Sequence, residues 1–212
     1  MHALKIALSV LYNPASGFRE IKRFRDKFSY VAPIVLLLLL IVMRIASMYI
    51  TNYPIALQYN MLPQYSDLLA EVLNYILPLL VWVVGSYLVT TINGGECLFR
   101  EVFSAAAYSF MPFIVFWVPL ALFSRILSTT DSVIYGGINM ILTVWVLLLF
   151  LINLSAMNSY GLLRTIGIAV VSLLACLFML AILLLLYVLG DNLFTFISTV
   201  IYEYRYLIVT GG

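Results

Sequence analysis

Charge is scarce in this chain. Only 9% of its 212 residues are charged, histidine occurs once and cysteine twice. Soluble domains carry about 25% charged residues and are about half apolar, whereas 65% of this chain is hydrophobic. A water-soluble fold of this length has too little interior to hide so much apolar side chain, so lipid is the expected solvent. The single histidine, His2, excludes a zinc site of the usual ligand set. Cys97 and Cys176 make neither a disulfide framework nor a metal site. There is no G-x-S-x-G element and no phosphate loop. The long apolar runs hold neither the paired acids nor the Ser/His pair of an intramembrane protease. They also lack the carboxylates that phosphatidyl or acyl transfer draws on, alongside His or a metal. The sequence therefore reads as that of a non-enzyme without cofactor or metal. Net charge is only +2. The basic residues form one block without an aromatic or glycine-rich companion pattern, which excludes nucleic acid as a partner.

What is present is a series of apolar runs. A membrane-spanning helix needs about 20 mostly apolar residues. Five segments qualify: about Tyr30–Tyr53, about Val72–Ile92, about Val102–Ser124, one within Ser132–Leu163 and one within Thr165–Gly190. Turn residues such as Asn93–Glu96 and Ser128–Ser132 separate them. The expected fold is an all-α integral membrane protein with five crossings. Residues 1–28 form a juxtamembrane segment, 29–190 the spanning domain and 191–212 a tail. The tail carries Asp191, Glu203 and Arg205, is too short for a sixth crossing, and is expected as an interfacial helix.

Five crossings put the two ends of the chain on opposite sides. With the N-terminus inside, that side collects Lys5, Arg19, Lys22, Arg23, Arg25, Lys27, Arg100 and Arg164, while the outer side collects Arg125 and Arg205. The positive-inside rule then predicts a cytoplasmic N-terminus and an external C-terminus. Met1–Tyr12 lacks a small-residue cleavage site, and the basic block after it opposes translocation. It is expected as a short helix on the membrane rather than a signal peptide.

Arg19–Lys27 hold seven of the chain's twenty charges. Asn13–Pro14 is a helix start, a capping residue followed by proline at the first helical position. At 100° per residue, Phe18, Ile21, Phe24 and Phe28 share one face, and Arg19, Lys22, Arg23, Asp26 and Lys27 the other. Such a helix suits an interface with anionic lipid, either as a topology anchor or as a dock for a cytoplasmic partner.

Arg44 stands inside the first span. A charge there marks a functional candidate. Asp67 and Glu71 lie within its reach. Two readings stand: an ion or substrate site, or a pair with Glu71 that locks two helices. Asn153, Ser155, Asn158 and Ser159 read as interhelical glue or as part of a transport path. Pro78, Pro112 and Pro119 fall inside spans, where they kink helices. Ten of fifteen tyrosines lie toward the outer side, as an interfacial belt would. Gly94 and Gly95 permit a helix-ending turn. Glu96 and Arg100 stand four apart on a short helix, from which Leu98, Val102 and Ala105 are expected to turn toward the membrane.

Several of these pieces resemble the Yip family of five-span membrane proteins. Asn13–Pro14 with Phe18 and Ile21 resembles that family's approach to its first span. Ile92–Val115, with its Gly pair and a Tyr-x-x-x-Pro at Tyr108–Pro112, resembles its Gly-Gly element. Trp145 followed by "LSAMNSYG" resembles its fourth span. The likeness covers about Leu11–Gly190. It implies a protein that works through contacts with other membrane proteins. Eukaryotic members act in vesicle trafficking through small GTPases. Short members resembling this one are typical of bacteria, and some look like companions of carbohydrate ABC importers. The expectation is an accessory or scaffold subunit in the bacterial cytoplasmic membrane. Partner contacts would fall on Phe18, Ile21, Arg23, Phe24, Gly94, Gly95, Glu96 and Arg100. The competing expectations are a small transporter or channel using Arg44 with Asn153 and Asn158, and a trafficking-type factor that binds small GTPases.

Overall fold

The computed structural model describes residues 2–23, 30–59, 61, 68–128 and 131–210, leaving aside the side chains of 2–4, 68 and 203–210. Phe24, Phe28 and Asp67 lie outside the described residues. The helices are α1 (His2–Tyr12), α2 (Pro14–Arg23), α3 (Val31–Ile50), α4 (Tyr53–Gln58), α5 (Leu68–Ile92), α6 (Phe99–Ser109), α7 (Met111–Ser124), α8 (Ser132–Asn158) and α9 (Leu162–Thr210). The five expected crossings are all present: Val31–Ile50, Leu69–Ile92, Phe99–Ser124, Ser132–Asn158 and Leu162–Tyr202.

The third crossing is the axis of the bundle. It is 67% buried inside the protein, against at most 33% for each of the others. Its first half, α6, contains Ser104–Ala107, each at most 1% exposed. Small side chains let neighbouring backbones come close, which is how helices associate where lipid removes the hydrophobic pull. α3 and α8 pack along α6 and α7, α5 packs on α6, and α9 lies along α5. Pro112 sits at the start of α7, directly after the break at Phe110 between the two halves. Proline lacks the N–H that a continuous helix would need there. Pro78 and Pro119 remain inside α5 and α7.

The ends of the bundle are tied by polar contacts. At the end away from α1, Arg125 Nε donates to the Ile50 carbonyl at 2.6 Å, and the Asn52 N–H to Ser124 Oγ at 3.0 Å. Tyr59 Oη donates to the Ser132 carbonyl at 3.0 Å. Of these acceptors, the Ile50 carbonyl ends α3, where the helix leaves its last carbonyls without intrahelical partners. The opposite end carries Lys5, Arg19, Lys22, Arg23, Arg100 and Arg164, and is called the basic end below.

Two elements depart from expectation. α1 and α2 form a tight hairpin that packs into the basic end against α6, α7 and α8. The turn is closed by the Asn13 N–H on the Ser9 carbonyl at 2.7 Å, and the Ser16 hydroxyl bonds the Asn13 carbonyl at 2.9 Å. Gly17 permits this pairing, because a Cβ there would stand 2.8 Å from both the backbone nitrogen and Cγ2 of Val10. The apolar face of α2 thus meets protein instead of lipid: Phe18 and Ile21 are fully buried, together with Ile6 and Val10 of α1. The second departure is the tail. It forms no separate interfacial helix but continues the fifth crossing as one 49-residue helix. Gly190 and Asp191 leave its backbone ladder unbroken.

Because Phe18 is core, Phe18→Ala lowers the thermal midpoint of the protein in nanodiscs by a cost of about 3–5 kcal/mol. A lipid-facing phenylalanine would give almost no shift, so calorimetry on the two proteins decides the matter.

Candidate functional site

The Gly-Gly turn is built from two crossed backbone bonds at the end of α5. The Gly95 N–H reaches the Thr90 carbonyl at 2.7 Å, and the Gly94 N–H reaches Thr91 at 3.4 Å. This is a Schellman ending, which places one residue in left-handed conformation. That residue is Gly94, with φ +73°. Gly95 is required for a different reason. A Cβ there would lie 2.7 Å from Asn158 Oδ1 and 2.8 Å from the Thr90 carbonyl oxygen. One glycine supplies a backbone angle and the other supplies room for α8.

The α8–α9 turn closes onto the same place. Ser159 ends α8 in left-handed conformation, φ 57°. Its neighbour Tyr160 is held by Ser155, whose hydroxyl donates to the Tyr160 carbonyl at 2.9 Å. Arg164 lies over the Tyr160 ring at 4.4 Å and donates from Nη2 to the Asn93 carbonyl at 2.7 Å. An orphan acceptor at the end of α5 thereby gains a charged donor. Burial raises the Tyr160 phenol above its ordinary pKa, although the nearby Arg164 charge acts in the opposite direction. Its hydroxyl donates to the Asn93 carbonyl, 3.5 Å away. Cys97 Sγ donates to the Met157 carbonyl at 3.0 Å, and Glu101 Oε2 accepts the Leu98 N–H at 2.9 Å to start α6.

The two stretches expected to face partners are joined to one another. Lys22 Nζ meets Glu96 Oε2 at 2.7 Å, linking α2 to the Gly-Gly turn. Glu96 lies before α6, in the turn rather than on the helix. Phe18 and Ile21 are spent on the chain's own core, while Arg23, Gly94 and Glu96 are exposed, and Gly95 and Arg100 are half-buried. Leu98 is exposed as expected, but Val102 and Ala105 face the core instead of the membrane. Asn153 Nδ2 lies 3.4 Å from Ser109 Oγ and joins α8 to α6. Asn158 Nδ2 bonds the Leu154 carbonyl of its own helix at 3.2 Å. Sequence reasoning missed the roles of Lys22, Tyr160 and Arg164. The available signal was a charge and an aromatic ring placed at the start of a helix.

At the opposite end, Arg44 and Glu71 find each other. Arg44 Nε and Nη2 lie 3.4 and 3.5 Å from the two Glu71 carboxylate oxygens, with the side chains 13% and 14% exposed. The guanidinium also stands over the Trp117 ring at 5.5 Å, and Tyr75 meets that ring edge-on at 5.4 Å. α3, α5 and α7 are thereby connected through one fork-shaped cation. Its geometry is that of a lock between helices, the second of the two readings given above. Among the described residues, no group of three or more His, Cys, Asp or Glu is placed to hold a metal ion.

Five apolar crossings, an interior axis of small residues and helix ends closed by backbone-directed donors define a multi-pass α-helical integral membrane protein. The sequence profile of the Yip1 domain matches residues 8–201, and the chain belongs to the Yip1 family, as its Asn-Pro and Gly-Gly elements led one to expect. No curated protein and no solved structure matches the chain.

The two glycines separate experimentally. Gly94→Ala costs about 1–2 kcal/mol of stability through its left-handed backbone, and Gly94→Asn recovers part of it. Gly95→Asn recovers nothing relative to Gly95→Ala, because the obstacle is contact with Thr90 and Asn158. Thermal unfolding in nanodiscs reads both pairs. For the membrane pair, Arg44→Leu or Glu71→Leu alone costs about 3–5 kcal/mol by stranding the partner's charge. Exchanging the two, Arg44→Glu with Glu71→Arg, restores a substantial part. If the exchange is no better than the single changes, the lock between α3 and α5 is refuted.

Proposed function

We propose that this protein works without catalysis, as an accessory subunit that binds another membrane protein through α9. The occupant of that helix is a spanning helix of an importer's permease subunit, with a carbohydrate ABC importer as the assembly and the basic end in the bacterial cytoplasm. The observation that carries this reading is the exposure of α9. Every residue from Leu180 to Tyr202 is exposed. At 1.5 Å per residue, Leu162–Gly190 already covers about 43 Å, more than the hydrocarbon core of about 30 Å. Leu193, Phe194, Phe196, Ile197, Val200 and Ile201 therefore extend past the apolar layer while 47–75% exposed. Apolar side chains at that level are stabilised when another surface covers them. The charge bias of the basic end supports the orientation.

Purification in gentle detergent, followed by identification of what co-purifies, tests the proposal. A permease subunit is expected in stoichiometric amount, and Phe196→Arg with Val200→Arg reduces it at least tenfold while leaving thermal stability unchanged. A protein that always purifies alone overturns the reading. So does solute-specific flux through proteoliposomes containing this chain alone.

A further inference from the structure

A cavity of about 710 Å³ opens at the basic end between the start of α2, the last turns of α8 and the first turn of α9. Its walls change character with depth. Ser155, Ser159 and Tyr160 stand where α8 ends, whereas Leu148 and Ile152 line it one to two turns farther into the bundle. Seven residues of helix separate Leu148 from Ser155, a depth of about 10 Å. Ile166 of α9 adds to the apolar wall, and Asn13 of the α1–α2 turn to the polar part. The lining contains one charge, Arg19, and no acid. Arg19 is exposed, and among the described residues no hydrogen bond or ion pair engages it. Ser155, in contrast, already donates its hydroxyl hydrogen to Tyr160 and offers only lone pairs to a guest.

We propose that this cavity is a binding site for one anionic phospholipid of the leaflet at the basic end. Three observations select that occupant. The unmatched guanidinium of Arg19 calls for an anion. The apolar wall rising from Ser155 to Leu148 calls for acyl chain, which a free anion lacks. The change from one to the other falls at the end of α8, a helix long and apolar enough to cross a membrane. The volume lies within the range of ligand pockets, 300–1,000 Å³, so the headgroup, glycerol and first part of the chains enter while the chain ends stay in the bilayer. The α1–α2 hairpin thereby gains a second attachment besides its apolar face: a lipid shared with α8 and α9. This site does not depend on α9 having a protein partner.

The test is native mass spectrometry of the full chain released from nanodiscs of equal phosphatidylglycerol and phosphatidylcholine. One lipid per protein is expected to survive mild activation, with phosphatidylglycerol favoured about fivefold, the ratio for one basic side chain near a membrane surface. Arg19→Gln brings the ratio close to one without changing the thermal midpoint in pure phosphatidylcholine, and Arg19→Lys retains most of the preference. Ile166→Trp, which fills the apolar wall, lowers retention of both lipids. Millimolar inorganic phosphate leaves the bound lipid in place. Equal retention of the two lipids by the unaltered protein overturns the proposal, and this arm needs no variant to fold. An undiminished preference in Arg19→Gln overturns it as well. Displacement of the lipid by phosphate shows a site for free anions instead.

Discussion

Lipid tails are as apolar as leucine, so the bilayer gives these helices no hydrophobic reason to gather. Close approach has to supply the attraction, and it begins at Ser104–Ala107. With no bulky side chain there, α6 lets α3, α5 and α8 approach while α2 closes the basic end. Dispersion contacts are individually small and collectively large only at such distances. The burial of the third crossing follows from this one stretch. So does the placement of the hairpin, because Phe18 and Ile21 join the same core as Ala105–Ala107 and Met157.

The second constraint is that backbone groups at helix ends must be satisfied near a medium that offers no hydrogen bonds. The chain meets it by sending side chains from distant elements to orphan carbonyls: Arg164 to Asn93, Arg125 to Ile50, Cys97 to Met157. Each of these contacts also joins two helices. Two of the three donors are arginines, so the few charges of this sequence also close its helix ends. Arg44 and Glu71 extend the same economy into a span.

The crossings were legible because span length and hydropathy are local properties. The Gly-Gly turn was legible because the left-handed residue of a Schellman ending is most often glycine. Where α2 buries its apolar face was not, since the 100° pattern of Phe18 and Ile21 is the same against lipid or against α8. Lys22 and Glu96 stand 74 positions apart, and no local pattern announces such a pair. The continuity of α9 escaped because Gly190 and Asp191 look like a stop. They interrupt hydropathy without interrupting the backbone hydrogen-bond ladder. The site at the basic end was half visible: its glycines and asparagines stood out, while Tyr160 and Arg164 acquired meaning only when the α5–α6 and α8–α9 turns met.

The hairpin of α1 and α2 imposes an order on the protein's synthesis. These two helices leave the ribosome before the elements that receive them, since those surfaces belong to α6, α7 and α8. The last residue of α8 is made 135 positions after the last residue of α2. At 5–20 residues per second, α2 waits roughly 7–27 seconds for the whole of α8, the helix it packs on beyond the hairpin. Through that interval the membrane surface is the natural holding place for an amphipathic hairpin. The interfacial character written into α2 thus describes a stage of the protein's life that its finished structure no longer displays.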